Sequence, residues 1–391
     1  MLVAARALQG VFGALLAPSA LGLLTITFAG SPDRPKAFGI FSAIAASGAS
    51  VGLLLGGALT QALSWRWCLY VNLIIAIPEA LLAWRLLVNQ PNPQRPRLDL
   101  PGLALGSGGL FALVYGFSTA DTHSWGATAT IVALAASAVA LASFIVVERR
   151  AASPLVPLHI PRNRAGGGAY LSILLATAGV FSVFLFLSYF MQRSLGFSPL
   201  KTGIAFLPIT AAIAVTATFV QTRVVHRTGA KPMVMLGMAL GLTGTALLTR
   251  LGVGSSYTTN VLPSLILVGL GMGTLFAPSI GTATLDVETH EAGIASALLN
   301  TSQQVGGSVG TALLSTIFAS AAAGYAATHA HVANLAIAAQ LHGEATAFWW
   351  STGIYALGFL VAAFILPTPP SWRRRRQAIA SPNPEPSPQR A

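Results

Sequence analysis

Eleven stretches of about twenty apolar residues follow one another along the chain, separated by short breaks rich in Pro, Gly, Asn and charge. A helix needs about 20 such residues to cross the hydrocarbon core of a bilayer, so each stretch predicts a spanning helix. With soft ends they run 2–28, 37–60, 67–84, 101–120, 127–147, 166–192, 202–222, 232–249, 261–285, 293–323 and 345–366. Only 8% of the 391 residues are Asp, Glu, Lys or Arg. Soluble proteins carry about a quarter, because their surfaces face water. So few charges cannot cover a wet exterior, and no break is long enough for a soluble domain. The fold class expected is therefore an all-α integral membrane protein with about 11 transmembrane helices. Abundant glycine suits it, since small residues let helices approach closely in lipid.

The formal net charge of +12 invites a nucleic-acid reading, but the basic residues lie in short loops and one tail, without an aromatic-basic stripe. They set orientation instead, since Lys and Arg stay on the cytoplasmic side. Taken alternately, one set of breaks and the tail holds 17 basic residues, including Arg149, Arg150, Arg162, Arg164 and Arg373 to Arg376. The other set holds 4: Arg66, Arg193, Lys201 and Arg250. A multi-pass protein of the plasma membrane with a cytoplasmic C-terminus is expected. The partners expected are membrane lipid, with no nucleic acid and no oligomer. From Pro367 onward, four arginines and alternating prolines predict a disordered tail.

Chemistry-bearing patterns are scarce. The single Cys68 allows no internal disulfide and no Cys-type metal cluster. His329, His331, His342 and Glu344 fall in a long outer loop, where a metal would need three or four converging ligands, and no metal is expected. There is no phosphate-binding loop and no Ser/His/Asp or Cys nucleophile signature. The expectation is a protein that is not an enzyme and has no cofactor.

The chain repeats itself. Gly13-Ala14-Leu15-Leu16-Ala17-Pro18-Ser19 in the first span returns as Gly273-Thr274-Leu275-Phe276-Ala277-Pro278-Ser279 in the ninth, 260 positions later. Gly48-Ala49-Ser50-Val51-Gly52 returns as Gly306-Gly307-Ser308-Val309-Gly310, 258 positions later. Chance likeness among Gly/Ala-rich helices is the competing account; two ordered matches at nearly one offset favour a repeat. Spans one to three then correspond to nine to eleven. Spans six to eight have no counterpart ahead of span one, and spans four and five form an extra pair between the halves. The expected divisions are 1–88, a three-span remnant of an N-terminal half; 89–165, two added spans with linkers; 166–366, a complete six-helix half; and 367–391, the tail. The expectation is a chain lacking three initial helices.

Arg6-x-x-Gln9-Gly10 with Ala14 and Pro18 resembles the fourth-helix signature of the major facilitator superfamily. The run Gly48-x-x-x-Gly52-Leu53-x-x-Gly56-Gly57 is similar to the fifth-helix antiporter signature, with Leu53 where the family has Pro. Ser64-Trp65-Arg66-Trp67 leading to Asn72, Glu148-Arg149-Arg150 with Pro154-Leu155-Val156-Pro157-Leu158, and Asn300-Thr301 with Gln304 to Gly307 resemble the fourteen-span drug:proton antiporters. Ile74 stands where that family usually has Pro, and His226 occupies the acidic position of a partial gating-loop motif. The resemblance implies a truncated major facilitator fold with a two-helix insertion between the halves. It implies proton-coupled export of hydrophobic or cationic drugs, with protons and a small hydrophobic molecule as partners. Export of one metabolite or self-made antibiotic, and an inactive truncated fragment, are the alternatives.

Candidate residues follow from the cost of charge in lipid and from the resemblance. Arg6 and Glu79 are the two charges inside the spans, and such groups are functional by default unless they reach an interface or a partner. Gln9 shares the face of Arg6, three residues on. These three are the proton-coupling candidates; Arg6 would tune a carboxylate, while snorkelling to the interface is its plainer reading. Glu79 could instead pair with Arg85. Gly48, Gly52, Gly56 and Gly57 make a smooth helix face for tight packing, with Gly273, Pro278, Gly306 and Gly310 as their counterparts. Arg227, Gly229 and Lys231 are the gating-loop candidates. Phe181, Phe184 and Phe186 are expected as cavity walls.

Overall fold

The computed structural model describes residues 2–28, 31, 33, 48, 51–86, 99–151, 154–224, 228–283, 291–331 and 334–367. Within them helix is the only regular secondary structure. The helices are α1 (Leu2–Thr27), α2 (Val51–Ala62), α3 (Trp67–Leu86), α4 (Leu100–His123), α5 (Thr128–Glu148) and α6 (Arg164–Tyr189). They continue with α7 (Pro199–Phe219), α8 (Ala230–Leu248), α9 (Leu262–Ala283), α10 (Ala292–Thr328) and α11 (Leu335–Ile365). Among the described residues nine are long and apolar enough to cross a membrane, and the apolar segments Ala4–Leu16 and Val51–Ala62 fall in the first two expected spans. The tail from 368 onward and Arg227 lie outside the described residues.

Local chemistry sets the helix ends. Asp99 caps α4 by accepting from Gly102 N at 3.0 Å, with Pro101 in the first turn, where its missing N–H costs nothing. Asn163 caps α6 and Ser198 caps α7 in the same way. At Gly229 the backbone enters α8 with φ +82°, which glycine adopts without strain. Beyond Tyr189, α6 widens into a π turn over Phe190–Ser194.

Helices α6 to α11 pack together, with α6 against α10 and α11, α8 against α9 and α11, and α7 against α9. Tyr355 of α11 is fully buried at the middle of this group. Its ring lies on Gly179 of α6 and Gly241 of α8, and its hydroxyl donates to Ala176 O at 3.3 Å. A Cβ at Gly179 would meet that ring at 2.5 Å, so glycine makes room for the largest buried side chain. Helices α4 and α5 form a hairpin stitched by Ser137 Oγ donating to Gly109 O at 2.8 Å, and α4 leans on α10. Helix α3 buries none of its residues, and Trp84 is 84% exposed. In a bilayer such apolar faces meet lipid.

One expectation is corrected. The stretch 324–344, taken as a long outer loop, is mostly helix, because α10 runs to Thr328 and α11 starts at Leu335. The hydropathy test ends a span where apolarity falls, but an Ala-rich segment keeps helical propensity beyond that point. The 37 residues of α10 make about 55 Å of helix, well over the ~30 Å hydrocarbon thickness.

Candidate functional site

Arg6 and Gln9 meet on α1: Arg6 Nη1 donates to Gln9 Oε1 at 2.7 Å, as their three-residue spacing requires. Both are exposed, and no ion pair to Arg6 forms among the described residues. Glu79 is exposed on α3 and forms no ion pair with Arg85. The structure thus pairs Arg6 with Gln9 and leaves Glu79 apart from them.

Of the four glycines expected to pack, Gly57 makes the close contact. Gly48, Gly52 and Gly56 have open space around them among the described residues. Contact runs along Leu53, Gly57 and Gln61, about 100° round the helix. A Cβ on Gly57 would lie 2.7 Å from Pro199 O, and one on Gly203 of α7 would lie 2.7 Å from Leu53 O. Leu200 N donates to Gln61 Oε1 at 3.3 Å. Two glycines, one from each helix, bring α2 and α7 backbone to backbone.

The later glycines sit in such crossings. A Cβ at Gly310 would lie 2.5 Å from Ala178 Cα, and Gly306 rests on Leu174 O, so α10 lies directly on α6. Gly273 of α9 faces Ile213 O and Ala217 N of α7 at 2.6 and 2.9 Å by the same measure. Pro278 is buried within α9. Lys231 stands in the first turn of α8, beside Gly229. Phe186, expected on a cavity wall, is fully buried between Phe318 and Phe348, whereas Phe181 is 47% exposed.

Four polar features carry weight that the sequence reading did not assign. Glu148, 4% exposed at the end of α5, accepts from Leu155 N and Val156 N, each at 3.2 Å. The Glu-Arg-Arg…Pro-Leu-Val-Pro motif is thereby a carboxylate clamping its own loop. The loop ends in a helical turn, His159–Arg162, where His159 Nε2 meets Glu291 Oε2 at 3.0 Å before α10. Arg164 Nη2 donates to Phe364 O at 2.8 Å, closing the exposed C-terminus of α11. At the opposite end, Glu344 of α11 is fully buried and accepts from Gln340 Nε2 at 2.7 Å, while Arg193 Nη1 reaches Gln340 Oε1 at 3.5 Å. His329 and His342 stack on Tyr325 at 4.1 and 4.9 Å, and no group of three or more potential metal ligands converges among the described residues. The helix spacing Gln340, Glu344 was visible in the sequence; the misread loop hid it.

Residues 1–311 match the family profile of the Major Facilitator Superfamily. The chain is 43% identical over 361 residues to a puromycin resistance protein of Streptomyces alboniger, an alignment covering 92% of this chain and 71% of that one. It is 39% identical over 326 residues to a cephamycin export protein of Amycolatopsis lactamdurans, covering 83% and 67%. A tetracenomycin C resistance and export protein of Streptomyces glaucescens is 33% identical over 323 residues, covering 82% of this chain and 59% of that one. The chain therefore spans between 59% and 71% of these relatives' lengths.

Proposed function

The chain belongs to the major facilitator superfamily, as a multi-pass membrane transporter of its drug-exporter kind, and from that premise we propose that it moves hydrophobic or cationic antibiotics out of the cell in exchange for protons. The observation that carries this is the 43% identity, over 92% of this chain, to a protein named for puromycin resistance. Transport of this kind needs no covalent chemistry and no cofactor. On this reading α6 to α11 are one six-helix half, α1 to α3 belong to the other, and α4 with α5 is the added pair. The substrate passes between the halves near the bilayer midplane. The protein works as a monomer in the plasma membrane, with its C-terminus in the cytoplasm. Arg6, with Gln9, faces the proton-carrying carboxylate and lowers that acid's proton affinity.

A narrower reading, export of one antibiotic, is favoured by the names of the three relatives, each of which specifies a single compound or class. Reconstituted vesicles under an imposed proton gradient test both, with puromycin and ethidium as probes. Gradient-dependent movement of both supports a broad exporter, and movement of puromycin alone a specific one. Arg6→Ala should abolish it, and Arg6→Lys should keep part of it if charge alone matters. The same comparison is made with the chain extended by any in-frame sequence that precedes Met1. Transport by neither form overturns the reading, and transport by the extended form alone makes the 391-residue form an inactive fragment.

A further inference from the structure

Glu344 is the one acidic side chain at 0% exposure among the described residues, and its Oε2 has no hydrogen-bond partner. A buried carboxyl with an unmatched oxygen is costly in either protonation state, and more so when ionised, so its retention calls for an explanation. Its surroundings supply one. Leu341, Glu344, Phe348, Ser351 and Tyr355 recur at three- and four-residue steps and are all buried, which places them on the core-facing stripe of α11, while Ile337 at its outer end is 44% exposed. One and two turns outward of Glu344, which lies beneath rather than in the lining, Leu341 and Ile337 line a cleft of about 130 Å³ with Phe190, Ser194 and the loop Gly252 to Ser255. One turn inward and beyond, Ser182 meets Ser351 at 2.6 Å and Thr352 donates to Thr245 at 3.1 Å, so polar pairs continue below the carboxyl. The α6 backbone opposite widens into the π turn that presents Arg193, and π turns inside helices often mark working sites.

We propose that Glu344 is a proton-binding site of the transporter: Oε2 takes a proton from the outer aqueous phase through this cleft, and the neutral carboxyl lets α6 close on α11. Loss of the proton to the same cleft leaves a carboxylate that draws Arg193 and water inward and favours an open outer end. Gln340 holds the switch together, donating to Glu344 while accepting from Arg193. Of the other titratable groups at this end, Tyr189 lies under the Arg193 guanidinium at 5.2 Å and His331 is exposed between α10 and α11. Arg193 of the α6 extension is the charge that acts on Glu344. Arg250, past the end of α8, is exposed. Tyr325 and His329 of α10 stack with His342, which lies two residues before Glu344 and so on the far side of α11.

The inference deepens the proton-coupled reading and rests on it for its consequence in transport, but proton binding is measurable without transport. Infrared difference spectra of the lipid-reconstituted 391-residue chain, taken between weakly acid and weakly alkaline buffer, where ordinary exposed carboxyls stay ionised, should show the carbonyl stretch of a protonated carboxyl. Glu344→Gln should remove that band while leaving the helical amide signal unchanged. A wild-type spectrum in the Gln variant overturns the proposal. In the transport-active form, ethidium efflux should depend on outer pH in the wild type and lose that dependence in Glu344→Gln. Retained dependence overturns it too, as does loss of ethidium binding at every pH, which would make Glu344 a contact for the cationic probe. If the wild type moves neither ethidium nor puromycin, the exporter reading fails while the infrared band still decides whether Glu344 binds a proton.

Discussion

Individual side chains in this protein act mostly on their own backbone. Glu148 is the clearest case, with both oxygens accepting loop N–H groups that lie seven and eight residues ahead. Hydrogen bonds to a charged acceptor are stronger than neutral ones, and removing the carboxylate would orphan two donors in a nearly buried place. Glu148→Ala is therefore expected to destabilise the protein by about 2 kcal/mol, with Glu148→Gln milder because one acceptor oxygen remains. Thermal unfolding in detergent reads both, and an unchanged midpoint in the Ala variant would show that the clamp is dispensable. The sequence displayed this motif without its purpose. Contacts across an irregular loop leave no periodicity, so the pairing of Glu148 with Leu155 and Val156 had no signal to betray it. Arg6 with Gln9 was legible, because a three-residue step on a helix fixes which side chains meet.

At the level of the helix, span positions were readable because the bilayer imposes a length and an apolar composition on every crossing. What the residue string leaves open is which side of each helix finds a neighbour. In α2 the glycine spacing pointed to Gly48, Gly52, Gly56 and Gly57, and of these Gly57 makes the contact, with Leu53 and Gln61 beside it. In α10 the repeated glycines Gly306 and Gly310 do press on α6. Glycine spacing marks a face able to pack; the neighbour decides whether it does. The contrast gives a paired expectation. Gly310→Val forces α10 off Ala178 and should destabilise by about 2 kcal/mol or more, as overpacking does. Gly52→Ala meets open space among the described residues and should be neutral or stabilising by up to about 1 kcal/mol through helix propensity. Melting temperatures of the two variants in one detergent separate them, and equal losses would put Gly52 in a tight contact as well.

For the molecule as a whole, orientation ties charge to architecture, and two independent features agree on which helix ends lie together. The antiparallel pairing of α6 with α11 puts Arg164 beside Phe364 at one end and Arg193 beside Gln340 at the other. The first of these ends adjoins the Glu148 clamp and the His159–Glu291 pair, in the arginine-rich breaks. The second adjoins the loop Gly252 to Ser255, in the sparsely charged set. Moving 17 basic residues across the membrane is far costlier than moving 4, so the clamp end should face the cytoplasm. With Cys68 replaced by Ser, single cysteines at Ala151, at Ser371 in the tail, and at Val253 read this directly. Val253 is 86% exposed and should react with a membrane-impermeant maleimide on intact cells. Ala151→Cys and Ser371→Cys should react only after the membrane is opened. The reverse pattern would invert the protein, place Glu344 on the cytoplasmic side, and turn the cleft above it from an outer proton entrance into an inner one.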